Sequence, residues 1–258
     1  MSRSSIRYGV CCGPEHWDTL RRLGYDYAEF GLAALSAMDG AAYRAALRAL
    51  PADFRVEAVN GLLPGHIRLC DEQFDPQQCR DYLNAALERA AALGVQIAVF
   101  GSGGSRRYVE GYDRASADEQ LLEFGRILGD RAAAFHMTAV VEPLRAAECN
   151  NLNTVAEAAA YARSVGSPSL CVLADLFHMA EGGEPMRSIT EAGPLLRHCH
   201  IANPDGRRPP APGDPYDYAP FFDALHAAGY NGRVSVEGLF DDFEAEAAHA
   251  LALLRKFQ

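Results

Sequence analysis

Four apolar runs in the second half of the chain each end on a group that can carry a proton or hold a cation. Thr138 to Val141 leads into Glu142, Leu170 to Ala174 into Asp175, Leu195 to Cys199 into His200, and Arg233 to Val236 into Glu237. Three carboxylates and an imidazole are oxygen and nitrogen donors, suited to Mn, Mg, Co or Zn rather than to a thiolate site. They also suit proton movement beside a carbonyl, which needs a base and an electrophile for the oxygen that becomes an enediolate. Two carboxylates on opposite sides of such a planar centre can take a proton from one face and return one to the other, which is epimerisation. A single Asp after a strand is equally an ordinary helix cap. Four such tips on successive strands point instead to one shared centre.

The elements that would position them alternate regularly. Near-continuous apolar runs of strand length are the pattern of strands covered on both faces, as in a parallel sheet. Strands are expected at Ile6 to Cys11, Tyr25 to Phe30, Phe54 to Val59, Val95 to Phe100, Thr138 to Val141, Leu170 to Ala174, Leu195 to Cys199 and Arg233 to Val236. Helical stretches lie between them: Pro14 to Leu23, Met38 to Leu50, Asp75-Pro76 to Gly94, a segment opened by a capping-box pattern at Ser116 to Glu119 and ending near Phe135, Thr154 to Val165, Pro185 to Ala192, and Tyr218 to Ala228. Phe243 to Phe257 closes the chain as an amphipathic helix. Eight such pairs in 258 residues specify a (β/α)8 TIM barrel, one domain over residues 1–258, in which chemistry gathers at the carboxyl ends of the strands. A doubly wound sheet would lay those ends in a row rather than around one point.

Composition narrows the function classes. With 49% apolar and 22% charged residues the chain can bury a large core, and a net charge of −10 gives a phosphate backbone no overall attraction, so no nucleic-acid partner is expected. Seven cysteines form no C-x-x-C pair and two of them sit inside apolar strands, the usage of reduced thiols in a cytoplasmic protein. The N-terminal MSRSSIRYG lacks an apolar core and no run reaches membrane-spanning length, so neither signal peptide nor membrane span is expected.

The motifs VVEP at Glu142, E-x5-E to Glu148, D-x-x-H from Asp175 to His178, HIAN at His200, R-x4-P-G from Arg207 to Gly213 and VSVEG at Glu237 resemble the xylose-isomerase-like barrel superfamily, in particular its sugar isomerase and epimerase branch with the ketose 3-epimerases. The resemblance implies one divalent metal, commonly Mn, held by Glu142, Asp175, His200 and Glu237, with Glu142 and Glu237 as the catalytic pair. It further implies that His178 and Arg207 hold the carbonyl or enediolate oxygen, that Glu148 contacts a terminal hydroxyl, and that the substrate is a small sugar or polyol ketone. Barrels of this kind often pair, so a homo-oligomer is expected. Arg208 competes with Arg207 for its role.

Other readings start from the same barrel. A dehydratase of cyclic polyol ketones would begin with the same enolisation, and a metal-binding barrel without catalysis would share the ligands. An endonuclease-IV-like site needs histidines at the tips of strands two and three and an Asp-x-His after strand seven; here strand three tips at Asn60 and residues 201 to 237 contain no such motif. Among the remaining residues, His198 lies one layer below His200, about 6.6 Å along a strand, and reads as a core histidine. Glu29 ends strand two and reads either as a substrate contact or as half of an ion pair. GSGGSRR at residues 101–107 reads as a flexible barrel loop, with anion binding by its amides and Arg106 or Arg107 as the alternative. His66 reads as solvated, Trp17 and the Cys11-Cys12 pair as packing.

Overall fold

A computed structural model of the chain describes residues 6–257; residues 1–5 and 258 of the expected domain lie outside the described residues. Eight parallel strands, each hydrogen-bonded to the next and the last to the first, close a barrel: β1 (Arg7–Cys11), β2 (Tyr27–Gly31), β3 (Val56–Asn60), β4 (Ile97–Phe100), β5 (Thr138–Val141), β6 (Leu170–Asp175), β7 (Leu196–Ile201) and β8 (Arg233–Val236). Around it run α1 (Trp17–Leu23), α2 (Leu32–Ala37), α3 (Gly40–Ala49), α4 (Pro76–Leu93), α5 (Gly103–Arg106), α6 (Arg114–Ala134), α7 (Val155–Val165), α8 (Leu176–Glu181), α9 (Arg187–Ala192), α10 (Ala219–Ala227) and α11 (Phe243–Leu254). The (β/α)8 expectation therefore holds, with strand boundaries shifted by at most two residues.

Side-chain alternation along each strand divides the molecule into two apolar layers. Outward residues such as Tyr8, Val10, Val56, Val172, Cys199 and Val234 pack under the helices. Tyr27, Ala58, Ile97, Val99, Val140, Cys171 and Leu173 fill the barrel interior. The amino-terminal end is closed by Glu57, whose carboxylate accepts from Arg7 (2.5 and 2.6 Å) and from Arg233 Nε (2.7 Å). Above that floor the inward positions turn polar.

Three local expectations are corrected. The cap of α6 is Asp113, which accepts from both the amide and the hydroxyl of Ser116 at 2.8 Å, so Ser116 is a first-turn residue rather than the start. Two short helices, α2 and α8, follow β2 and β6 directly; at six residues each they are too short to display a helical period in sequence. Residues 103–106 form a helical turn instead of an open loop, and Arg106 within it is fully buried. Trp17 packs in the core, edge-on to Phe30, and His66 is exposed, both as read from sequence. All seven cysteines are free, and among the described residues no helix is long and apolar enough to cross a membrane.

Candidate active site

Glu142 follows β5, Asp175 ends β6, His200 lies on the inward face of β7 and Glu237 follows β8. Each offers a ligand atom within 4.8 Å of the others. Imidazole Nδ1 of His200 lies 3.1 Å from Glu142 Oε1 and 3.3 Å from Glu237 Oε2. Asp175 serves both readings at once. Its Oδ1 caps α8 by accepting from the amide of Phe177 at 2.7 Å, while its Oδ2 is buried without a hydrogen-bond partner. A buried carboxylate oxygen without a hydrogen bond, among two further carboxylates, is costly unless a cation completes the group. The cluster therefore fits a divalent metal, and its oxygen and nitrogen donors fit the harder ions of that class.

Electrostatics sets the two glutamates apart. Burial, reinforced by the neighbouring Glu237, raises the Glu142 carboxyl above the ordinary range. Burial also opposes the Glu237 anion, but His200 and Arg207 outweigh it and bring that carboxyl down to about 2. For His200 burial disfavours the cation, yet Glu29 and Glu237 raise it well above its usual value.

The three residues expected to meet substrate border the same cluster. His178 Nδ1 accepts the Arg145 amide at 3.3 Å, which leaves Nε2 carrying the proton; that buried Nε2 has no partner and lies 3.6 Å from Asp175 Oδ2. Arg207 Nη2 donates to Glu237 Oε2 at 2.6 Å and stands 3.7 Å from Asp175 Oδ2. Arg208, its competitor by sequence, turns outward to Asp241 and does not border the cluster. Arg207 adopts a left-handed φ of +53°, rare for a residue with a side chain, and the surroundings hold it there. Its carbonyl accepts the Leu239 amide at 2.8 Å, strapping the loop after β7 to the loop after β8. Glu148 sits at the rim, bonded to Arg145 at 2.8 Å and 3.6 Å from Arg207 Nη1. The guanidinium groups of Arg145 and Arg207 both lie against the Phe177 ring, 4.8 and 4.7 Å from its centre.

Four residues of the site were not assigned to it by sequence. Asn60 donates to Glu237 Oε1 at 2.8 Å; its place at a strand tip was the available signal. Glu29 is buried beneath His200 and bonds it at 2.9 Å, which resolves its two readings in favour of the ion pair. His198 shares that carboxylate at 2.8 Å, as a core histidine would, although its Nδ1 is left without a partner. Arg106 is buried and donates to three carbonyls, of Gly101 (2.7 Å), Glu142 (2.9 Å) and Asn151 (3.4 Å). A Cβ on Gly101 would stand 2.2 Å from Glu142 Oε2, so only glycine leaves the carboxylate its place.

A closed parallel barrel bearing acid, base and cation donors at the carboxyl ends of its strands defines the class of (β/α)8 proteins with a rim-sited reaction centre. The chain belongs to the xylose isomerase-like TIM barrel family, whose profile matches residues 17–257. It is 30% identical over 115 residues to a Drosophila melanogaster protein named "Putative hydroxypyruvate isomerase", covering 43% of this chain and 44% of that one. It is also 30% identical over 131 residues to D-psicose 3-epimerase of Agrobacterium fabrum, covering 50% and 45%. Such matches span about half the length of these relatives. The crystal structure of D-psicose 3-epimerase with D-tagatose from Clostridium cellulolyticum H10 superposes with a TM-score of 0.83 at 20% identity, over 98% of this chain and 99% of that one.

Proposed function

We propose that this protein is a metal-dependent sugar epimerase of the cytoplasm that moves a proton beside the carbonyl of a small ketose, with inversion at C3. The observation that carries the reading is the meeting of Glu142, Asp175, His200 and Glu237 within 4.8 Å, with Asp175 Oδ2 and His178 Nε2 both buried beside it without a hydrogen-bond partner. The similarity to D-psicose 3-epimerases supports the choice of substrate class, and the seven free cysteines agree with a reducing compartment.

In this reading Glu142, Asp175, His200 and Glu237 hold one divalent ion, Mn by preference, which when bound supplies Lewis-acid polarisation of the ketose oxygen. One of Glu142 and Glu237 removes the C3 proton, and the other delivers a proton to the opposite face of the planar enediolate; no net oxidation occurs. His178, through Nε2–H, and Arg207 donate hydrogen bonds to the oxygen that gains charge, and Glu148 orients a terminal hydroxyl. Glu142 is buried while Glu237 is partly open to solvent, so one of the two carboxylates can exchange its proton with water between turnovers.

The test is NMR in D2O with tagatose, psicose, fructose and ribulose, free and phosphorylated. Deuterium at C3 with inversion is expected. Aldose formation without C3 exchange would place the chemistry at C1 and C2, and loss of water would indicate a dehydratase. A second reading, isomerisation of a small hydroxy-keto acid, is favoured by the hydroxypyruvate isomerase relative; hydroxypyruvate in the same panel decides it.

A further inference from the structure

We propose that Glu29 is a positioning residue which, backed by His198 and Ser235, holds His200 with Nδ1 facing Glu142 and Glu237 and thereby sets the affinity of the cluster for a divalent cation. The proposal rests on the metal reading above and assigns a role to a residue that meets neither metal nor substrate in it.

Glu29 lies on β2, far in sequence from the four proposed ligands, and is fully buried. Its carboxylate accepts three hydrogen bonds: from His200 Nε2 on Oε1 at 2.9 Å, and from His198 Nε2 (2.8 Å) and Ser235 Oγ (2.6 Å) on Oε2. Because the single hydroxyl proton of Ser235 goes to Glu29, the Tyr27 hydroxyl, 2.7 Å away, donates to Ser235 Oγ. Every polar atom of the support is thus engaged except His198 Nδ1: His198, His200 and Ser235 donate to the carboxylate, and Tyr27 donates to Ser235.

The consequence for His200 is directional. An imidazole whose Nε2–H is committed to a carboxylate presents Nδ1 as its coordinating atom, in one ring orientation, and gains basicity as a ligand. A ring without that partner could turn over and exchange its two nitrogens. Cys11 also comes within 4.8 Å of Glu29 and His200. The His200 nitrogen that faces Glu29 carries its proton to that carboxylate and has no lone pair for a cation, so these three residues do not make a second cation site.

The experiment measures Mn2+ binding to the full chain by calorimetry after chelator treatment, for the wild type, Glu29→Gln, Ser235→Ala and, as a control, Glu57→Gln. Glu57 is likewise a nearly buried carboxylate, paired with arginines on the barrel floor. Glu29→Gln is expected to weaken Mn2+ binding by roughly 10- to 100-fold, the usual effect of losing an outer partner of a metal-bound histidine. Ser235→Ala should weaken it less, and Glu57→Gln should lower the melting temperature while leaving Mn2+ affinity unchanged. In the Zn2+-loaded protein, 15N shifts of His200 should report one Nε2-protonated ring in the wild type and a mixture in Glu29→Gln. A folded Glu29→Gln that binds Mn2+ like the wild type overturns the proposal; if that variant does not fold, unchanged affinity in Ser235→Ala overturns it. A wild type that binds Mn2+ but exchanges no ketose proton defeats the epimerase reading and leaves this inference standing, whereas a wild type that binds no Mn2+ removes both.

Discussion

At the level of single residues, the proposed centre is defined by how few of its polar atoms are spare. Glu142→Gln and Glu237→Gln each remove a proton acceptor and are expected to lower turnover by roughly 10² to 10⁴. Metal content measured alongside separates lost catalysis from lost metal, and near-wild-type rates in either variant would refute the two-carboxylate scheme. Arg207 and Arg208 provide a sharper contrast. Arg207 bonds Glu237, while Arg208 bonds the exposed Asp241. Steady-state kinetics should show kcat/KM falling about 10- to 100-fold in Arg207→Ala, the value of a hydrogen bond to a charged group. Arg208→Ala should stay close to the wild type, because exposed ion pairs contribute little. Gly101→Ala tests space alone. With a Cβ 2.2 Å from Glu142 Oε2, the carboxylate has to move, and a cost of about 1–3 kcal/mol in stability is expected from overpacking, read by urea unfolding together with reduced Mn2+ affinity.

Among the elements, strands proved more legible than what lies between them. An apolar run such as LCVLA ending at Asp175 states both its burial and its tip, so the four rim residues could be placed from sequence. Glu29 was legible as a strand-end carboxylate suited to an ion pair, but its partners were not, because they lie 169, 171 and 206 positions away and only barrel closure brings them together. GSGGSRR misled for a related reason: glycines and arginines together look mobile, but here Gly103 lets α5 approach Leu144 and the Glu148 carbonyl while Arg106 is drawn inward by three carbonyls. That arginine joins the β4 and β5 ends of the site. Arg106→Met would strand those acceptors, each worth about 1–3 kcal/mol when buried unpaired. An overall loss of about 3 kcal/mol or more is expected in urea unfolding, with turnover falling because Glu142 loses its anchor.

For the molecule as a whole, a cation that binds only the folded barrel should stabilise it. At a free Mn2+ concentration 100 times its dissociation constant the gain is about 2.7 kcal/mol. For a domain of this size that is a rise of roughly 5–10 °C in melting temperature, reversed by EDTA. Calorimetric scans showing no shift would count against the metal reading. The closure of β8 onto β1 has one more consequence, concerning the order in which the protein is made. All four rim donors are translated in the second half of the chain, yet Glu29 and Asn60, which grip two of them, emerge from the ribosome long before. A nascent chain holding β1 to β7 has three of the four donors and an open seam. The last stretch supplies Glu237 and the contacts of Leu254 with Tyr8 and of Ala247 with Tyr25 that seal it. The proposed centre is therefore completed only once β8 and α11 have been made, and a polypeptide stopped before them holds only part of it.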